Sequence, residues 1–120
     1  KLERINRIAI SAMKQTLKAK LPKINQIESY NSFLDRCNEK IKFICHLENS
    51  ERKDLFSFKE SIINSSHSCI LIGPEGDFTS QEISLSKKHN FIPISLGLSR
   101  LRTETAGVVS CNLINAIYEF

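Results

Sequence analysis

Two short stretches of this 120-residue chain combine the residue types that build ligand sites. The first, Gly73-Pro74-Glu75-Gly76-Asp77, follows the apolar run Ser68-Cys69-Ile70-Leu71-Ile72; the second, Arg100-Leu101-Arg102-Thr103-Glu104-Thr105, stands just ahead of another apolar stretch. Glycines at 73, 76 and 97 let main chain approach a flat ligand where a side chain would stand in the way. Backbone donors beside aliphatic groups suit a ring such as adenine. A triphosphate suits the first stretch poorly. The G-K-[ST] ending of a phosphate loop and the G-x-G-x-x-G spacing are both missing, and Glu75 and Asp77 would repel phosphates. A sulfonium cofactor, of net charge near zero or positive, tolerates those acids. The residues alone leave plainer readings open: a tight turn feeding a capped helix for the first stretch, and for the second a helix start capped by Thr103 and Thr105 with a local ion pair.

The elements around these stretches must bring them together. Leu2, Ile5, Ile8, Ala9, Ala12, Met13 and Thr16 recur at helical spacing, with Arg4, Arg7, Ser11, Lys14 and Lys18 on the opposite side, so an amphipathic helix with a basic outer face should run to Pro22. A short extended piece is expected near residues 24–27 and a short helix near 32–37. Ile41 to Cys45 reads as a strand ending at His46 and Leu47. Residues 48–54 read as a loop and 55–63 as a short helix. The run at 68–72 shows no alternation, which is the pattern of an inner parallel strand covered on both faces. Thr79 with Glu82 three residues later forms a capping-box signature for a helix to about His89. Phe91 to Leu96 is the next strand, with Pro93 arguing for a sheet edge or a bulge. A last helix beginning near Glu104 carries Ala106, Val109, Leu113 and Ile117 inward. Strand, helix, strand, helix gives an α/β fold with a parallel sheet, whose ligands collect at the strand ends, here His46-Leu47, 73–76 and 96–105.

Composition bounds the rest. With 41% apolar residues the chain can bury a core as one domain. No apolar run approaches the ~20 residues of a membrane span, so the expectation is a cytoplasmic protein without membrane partners. Cys37, Cys45, Cys69 and Cys111 lack C-x-x-C spacing, and His46, His67 and His89 lack ligand spacing; no metal is expected, the cysteines read as reduced and mostly buried, and His67 and His89 read as surface residues. Residues 1–23 hold seven of the basic side chains against the single acid Glu3, so that end carries +6 and the remainder −2 of the net +4. A basic end on a near-neutral body suggests a polyanionic partner, although a solvated helix face has the same appearance. The chain enters a helical pattern at Lys1, which leads us to expect a fragment.

"LIGPEGDFTSQEI", followed after a strand by "SLGLSRLRTETAGVV", resembles the two signature segments of the uridine-N3 ribosomal RNA methyltransferases (RsmE type) of the SPOUT superfamily. "AMKQTLKAKLPKI" is similar to that family's Q-[ST]-x-R-x-x-x-P segment, so the resemblance spans nearly the whole chain. The chain departs from the pattern at Asp77, where a second glycine is usual, at Thr79 for serine, at Lys18 for arginine, and at Leu98-Ser99-Arg100 for Pro-Arg-[IV].

The resemblance implies an α/β SPOUT methyltransferase domain over residues 1–120 with a C-terminal trefoil knot, a homodimer, and an N-terminal PUA-like RNA-binding domain that this chain is expected to lack. It implies methylation of N3 of a uridine in small-subunit ribosomal RNA from S-adenosylmethionine. By the same likeness, His46, Leu47, Ile72, Gly73, Pro74, Glu75, Gly76, Leu96, Gly97, Leu101, Arg102, Thr103 and Thr105 would hold the cofactor. Arg102 would stabilise the imide anion, and Glu104 or Glu75 would accept the proton. Lys14, Lys18, Lys23 and Arg100 would contact RNA. Ribose 2′-O-methylation, and a non-catalytic RNA- or nucleotide-binding module on the same scaffold, are the competing expectations.

Overall fold

The structure, a computed structural model, describes residues 1–16, 21–46, 52–97 and 101–119. It divides into two compact units, Lys1–Phe33 and Leu34–Phe120. In the first, helix α1 (Leu2–Thr16) carries Glu3 in its first turn and Lys14 in its last, each sign suited to the nearer end of the helix dipole. Arg4, Arg7, Ser11 and Lys14 are exposed, as the basic face requires. The opposite stripe is not buried as its periodicity suggests: Ile5 is 45% and Ile8 58% exposed. A unit of this size, with one long helix, has little chain of its own to cover that stripe. The proposed continuation of the helix lies outside the described residues at 17–20. Residues 24–27 are irregular rather than a strand. The side chain of Ser29 accepts from the Ser32 N–H at 3.1 Å, opening helix α2 (Tyr30–Arg36).

The second unit is built on a four-stranded, all-parallel sheet: β1 (Ile41–Cys45), β2 (Lys53–Asp54), β3 (Ser68–Ile72) and β4 (Ile92–Ser95), in the order β2-β4-β1-β3. A 3-10 turn (Leu55–Phe58) leads into α3 (Lys59–Asn64); α4 (Ser80–Lys88) and α5 (Thr103–Glu119) complete it. On one face Phe43, Leu55, Ile62, Ile94 and Ile117 form the core, with the Phe58 ring tilted against Phe43 at 5.2 Å. Strand alternation sends Ile44 to the other face, where it is equally buried, so both faces are covered. The hydroxyl of Tyr118, near the end of α5, is shared between the carbonyls of Ile62 and Ser65 at 2.9 and 2.7 Å, fastening α5 to α3.

Two expectations are reversed here. The continuous apolar run is β3, the edge of the sheet among the described residues, and the proline-bearing strand is β4, with a neighbour on each side. An unbroken apolar run reports cover on both faces, not partners on both edges. Pro93 is tolerated because β2 joins β4 only from Ile94 onward, where it pairs with Lys53. The loop expected at 48–54 contains β2, two exposed polar residues that no apolar pattern marks. His89, expected as a plain surface residue, is half-buried: its ring meets the Leu85 carbonyl and the Asp35 carboxylate, each at 3.1 Å.

Candidate functional site

Register alone gathers the strand ends. Cys45 is opposite Ile72 of β3 and Ile94 of β4, so the residues that follow, His46, Gly73 and Ser95, emerge side by side at the carboxyl edge of the sheet. That edge is where parallel sheets bind ligands, because the diverging loops leave backbone groups free of the ladder.

The turn after β3 is closed by the Asp77 N–H donating to the Pro74 carbonyl at 2.8 Å. Asp77 then adopts φ +65°, the left-handed region. This explains both the glycine usual in the resembling pattern and its replacement here, since aspartate is among the few other residues that enter this region readily. Thr79 follows as a full capping box: its hydroxyl accepts from the Glu82 N–H at 3.1 Å, and Glu82 accepts from the Thr79 N–H at 2.8 Å. Gly73 has a packing cause beyond any ligand, because a Cβ there would lie 3.0 Å from the Phe78 ring. Gly97, at φ +136°, holds a conformation that side chains rarely permit.

The second stretch meets the first. The Thr103 hydroxyl donates to the Gly73 carbonyl at 2.8 Å, across thirty positions of sequence. Thr103 therefore fastens the start of α5 to the turn after β3, a role different from the helix cap that its position suggests.

Between them lies a cavity of about 700 Å³. Of the residues proposed to hold a ligand, His46, Ile72, Gly73, Pro74, Glu75, Leu96, Gly97, Leu101, Arg102 and Thr103 line it. Gly76 and Thr105 are exposed and do not, and Glu104, also exposed, lies in the first turn of α5 off the cavity wall. Of the proposed RNA contacts, Lys14 and Lys23 are exposed in the first unit. Leu47, Lys18 and Arg100 lie outside the described residues.

Sequence reasoning missed Cys45, Arg52, Ile94, Ser95 and Ala106 as lining residues, and Asp77, read in advance as an acid that repels phosphates and as a departure from a pattern but not assigned to the site, also lines the cavity. Register would have found Cys45, Ile94 and Ser95 once the strands were paired. Arg52 carried no local signal: it precedes a two-residue strand, and its Nη1 donates to the His46 carbonyl at 2.6 Å. Burial pushes the Cys45 thiol up from about 9 to about 12, which keeps it a neutral, weakly polar wall group rather than a nucleophile. His46 is 2% exposed and forms part of the floor. Arg52 and Arg102 balance Glu75 and Asp77 in formal charge, an arrangement suited to a zwitterion or a weakly cationic molecule and unsuited to a polyphosphate. Among the described residues there is no group of three or more metal-ligating side chains, and no helix long and apolar enough to cross a membrane.

Fold and site together define an α/β domain with a cavity at the carboxyl edge of a parallel sheet. Residues 1–115 match the RNA methyltransferase domain family, and the chain belongs to that family. It is 29% identical to the ribosomal RNA small subunit methyltransferase E of Bacillus subtilis, covering 96% of this chain and 46% of that protein, and 33% identical to that of Synechocystis, covering 99% and 40%. The chain thus spans about half the length of the curated relatives it matches. Among solved structures it is similar to the Neisseria gonorrhoeae small subunit methyltransferase E bound to S-adenosylmethionine, with a TM-score of 0.85 and 27% identity over 98% of this chain and 48% of that one. The structure of a protein named a probable rRNA-methyltransferase, from Porphyromonas gingivalis, gives a TM-score of 0.82 and 39% identity, over 99% of this chain and 50% of that one.

Proposed function

We propose that this chain forms the cofactor-binding part of an enzyme that transfers a methyl group from S-adenosylmethionine to N3 of a uridine in small-subunit ribosomal RNA. The observation that carries the reading is the bond from Thr103 to the Gly73 carbonyl, which makes the two characteristic stretches walls of one cavity. The residues present fit an adenosyl group. Ile72, Ile94, Leu96, Leu101 and Ala106 would flank its ring with aliphatic surface, and the main chain at Gly73 and Leu96 would meet its polar edge. When bound, S-adenosylmethionine supplies an electrophilic methyl on a sulfonium, which requires alignment and no metal.

The protein's own part is alignment and proton management. A uracil N3–H is a weak acid, so its proton needs an acceptor and the resulting imide anion needs a donor. In this reading Arg102 stabilises charge on a uracil oxygen. Glu75 is favoured over Glu104 as acceptor because it lines the cavity and Glu104 does not. Lys14, Lys18, Lys23 and Arg100 belong to the RNA-contacting set of this reading, and Leu47, Gly76 and Thr105 to its cofactor-holding set. The C-terminal knot, the homodimer and a cytoplasmic location go with the reading. The knot is supported by the return of α5 to the turn after β3, the homodimer by the exposed Ile5 and Ile8, and the location by the ribosomal substrate.

The test is methyl transfer from labelled S-adenosylmethionine to unmodified small subunits by the full-length protein carrying this chain, with the product mapped by mass spectrometry. N3-methyluridine is expected. A methyl on ribose would replace the reading with 2′-O-methylation, and absence of cofactor binding would replace it with a non-catalytic module. Arg102→Ala should lower kcat by about 100-fold or more while the affinity for S-adenosylmethionine changes little.

A further inference from the structure

We infer that Arg52 recognises the α-carboxylate of the cofactor's amino-acid part, an inference that rests on the S-adenosylmethionine reading and names a contact within it. Among the described residues, four side chains with full charges line the cavity: Arg52, Arg102, Glu75 and Asp77. Sheet order separates their points of attachment. Glu75 and Asp77 follow β3, the last strand of the order β2-β4-β1-β3, and Arg102 adjoins Thr103, whose hydroxyl holds the Gly73 carbonyl on that same side. Arg52 immediately precedes β2, the strand at the other end, and its side chain reaches back to the carbonyl of His46 at the end of β1. Its guanidinium therefore meets the cavity at the end of β1, between the loops that follow β4 and β3, and Arg52 is the one cation among the described lining residues that comes from the β2 end of the sheet.

The chemistry of that placement selects one part of the ligand. The adenine ring is neutral and the sulfonium is cationic, so neither gains from a guanidinium. The carboxylate does, and beside Glu75 and Asp77 it would be repelled. The bond to the His46 carbonyl, 2.6 Å long, takes one of five guanidinium N–H groups and steadies the fork, leaving other donors to meet a carboxylate in its plane. An arginine already tethered loses less side-chain freedom on binding than a free one.

Calorimetry on the full-length protein with two ligands tests this: S-adenosylmethionine, and decarboxylated S-adenosylmethionine, which keeps the ring, sulfonium and amine and lacks only the carboxylate. Arg52→Ala is expected to weaken S-adenosylmethionine by about tenfold or more and to leave the decarboxylated ligand within about twofold of its original affinity. Arg52→Lys should fall between, keeping the charge without the fork. Equal weakening of both ligands would mean that Arg52 only braces the wall through His46, and would overturn the inference while leaving the cofactor reading intact. If Arg52→Ala does not fold, the unmodified protein still decides: it must prefer S-adenosylmethionine by about tenfold, and equal affinity for the two ligands would overturn the carboxylate contact. Binding of neither ligand would overturn the cofactor reading and this inference with it.

Discussion

On the β3 side of the cavity the wall is assembled from neighbours in sequence. Asp77 closes a turn onto Pro74, Phe78 fills the space that Gly73 leaves, Thr79 and Glu82 cap the next helix, and one long-range bond from Thr103 locks the result. On the β1–β4 side the wall consists of strand ends set by register, with an arginine reaching across to the His46 carbonyl. The first wall is held in shape by its own local chemistry. The second depends on the sheet beneath it, on the Ser95 hydroxyl bonded to the main chain of Gly97 and on the Arg52 bond to His46, and should therefore respond to substitution more in ligand affinity than in stability.

The largest test of that contrast is Gly73→Val. Its Cβ alone would meet the Phe78 ring at 3.0 Å and the Phe78 backbone nitrogen at 3.2 Å, and the added methyls would crowd the turn further. A loss of about 1–3 kcal/mol by urea denaturation is expected, with cofactor affinity lost alongside it. Stability unchanged within error would mean that the turn is softer than its contacts imply. Next is Asp77, at φ +65°. A β-branched Asp77→Val should cost about 1–2 kcal/mol, and Asp77→Gly should gain up to about 1 kcal/mol, so the two variants must move the midpoint in opposite directions. Thr103→Val follows, at about 1 kcal/mol, because the Gly73 carbonyl faces a cavity where water can replace the lost hydroxyl in part. Thr103→Ser should restore most of it, and a cofactor affinity indifferent to Thr103→Val would detach α5 from the site.

The same contrast explains what could be read in advance. The strands at 41–45 and 68–72, the turn after the latter and the capping box at Thr79 were legible because each is encoded within a few residues, by an apolar run or by a turn and cap spacing. Sheet order was not. Ser68–Ile72 and Ile92–Ser95 suggested the reverse of their actual places, because strand composition reports facial burial and Pro93 avoids the ladder by position. Lys53–Asp54 has no apolar signature as a strand, so Arg52 beside it could not be placed at the cavity. Glu104 was grouped with Arg102 by adjacency, yet the first turn of a helix sends successive side chains in different directions, and only Arg102 lines the cavity. His89 was likewise invisible as a tie to Asp35, fifty-four positions away.

The smallest expected effect lies on the register-built wall and is one of pH. Burial raises the Cys45 thiol to about 12, whereas the unfolded chain would ionise it near 9. Between those values the unfolded state has released a proton that the folded state retains, so the group favours unfolding increasingly as pH rises past about 9 and has no effect at neutral pH. Cys45→Ala removes that term along with the sulfur's packing. At about pH 7.5 the variant should melt below the wild type; near pH 9.5 the gap should narrow by about 0.5–1 kcal/mol, because only the wild type carries the ionisation penalty. Cys69 on β3 is raised to a similar value, by burial first and then by the neighbouring Cys37. Cys69→Ala should therefore narrow its own gap in the same sense and by a similar amount. A gap that stays constant from pH 7.5 to 9.5 would mean that the thiol at the end of β1 is open to solvent, and that this wall is looser than the register of its strands implies.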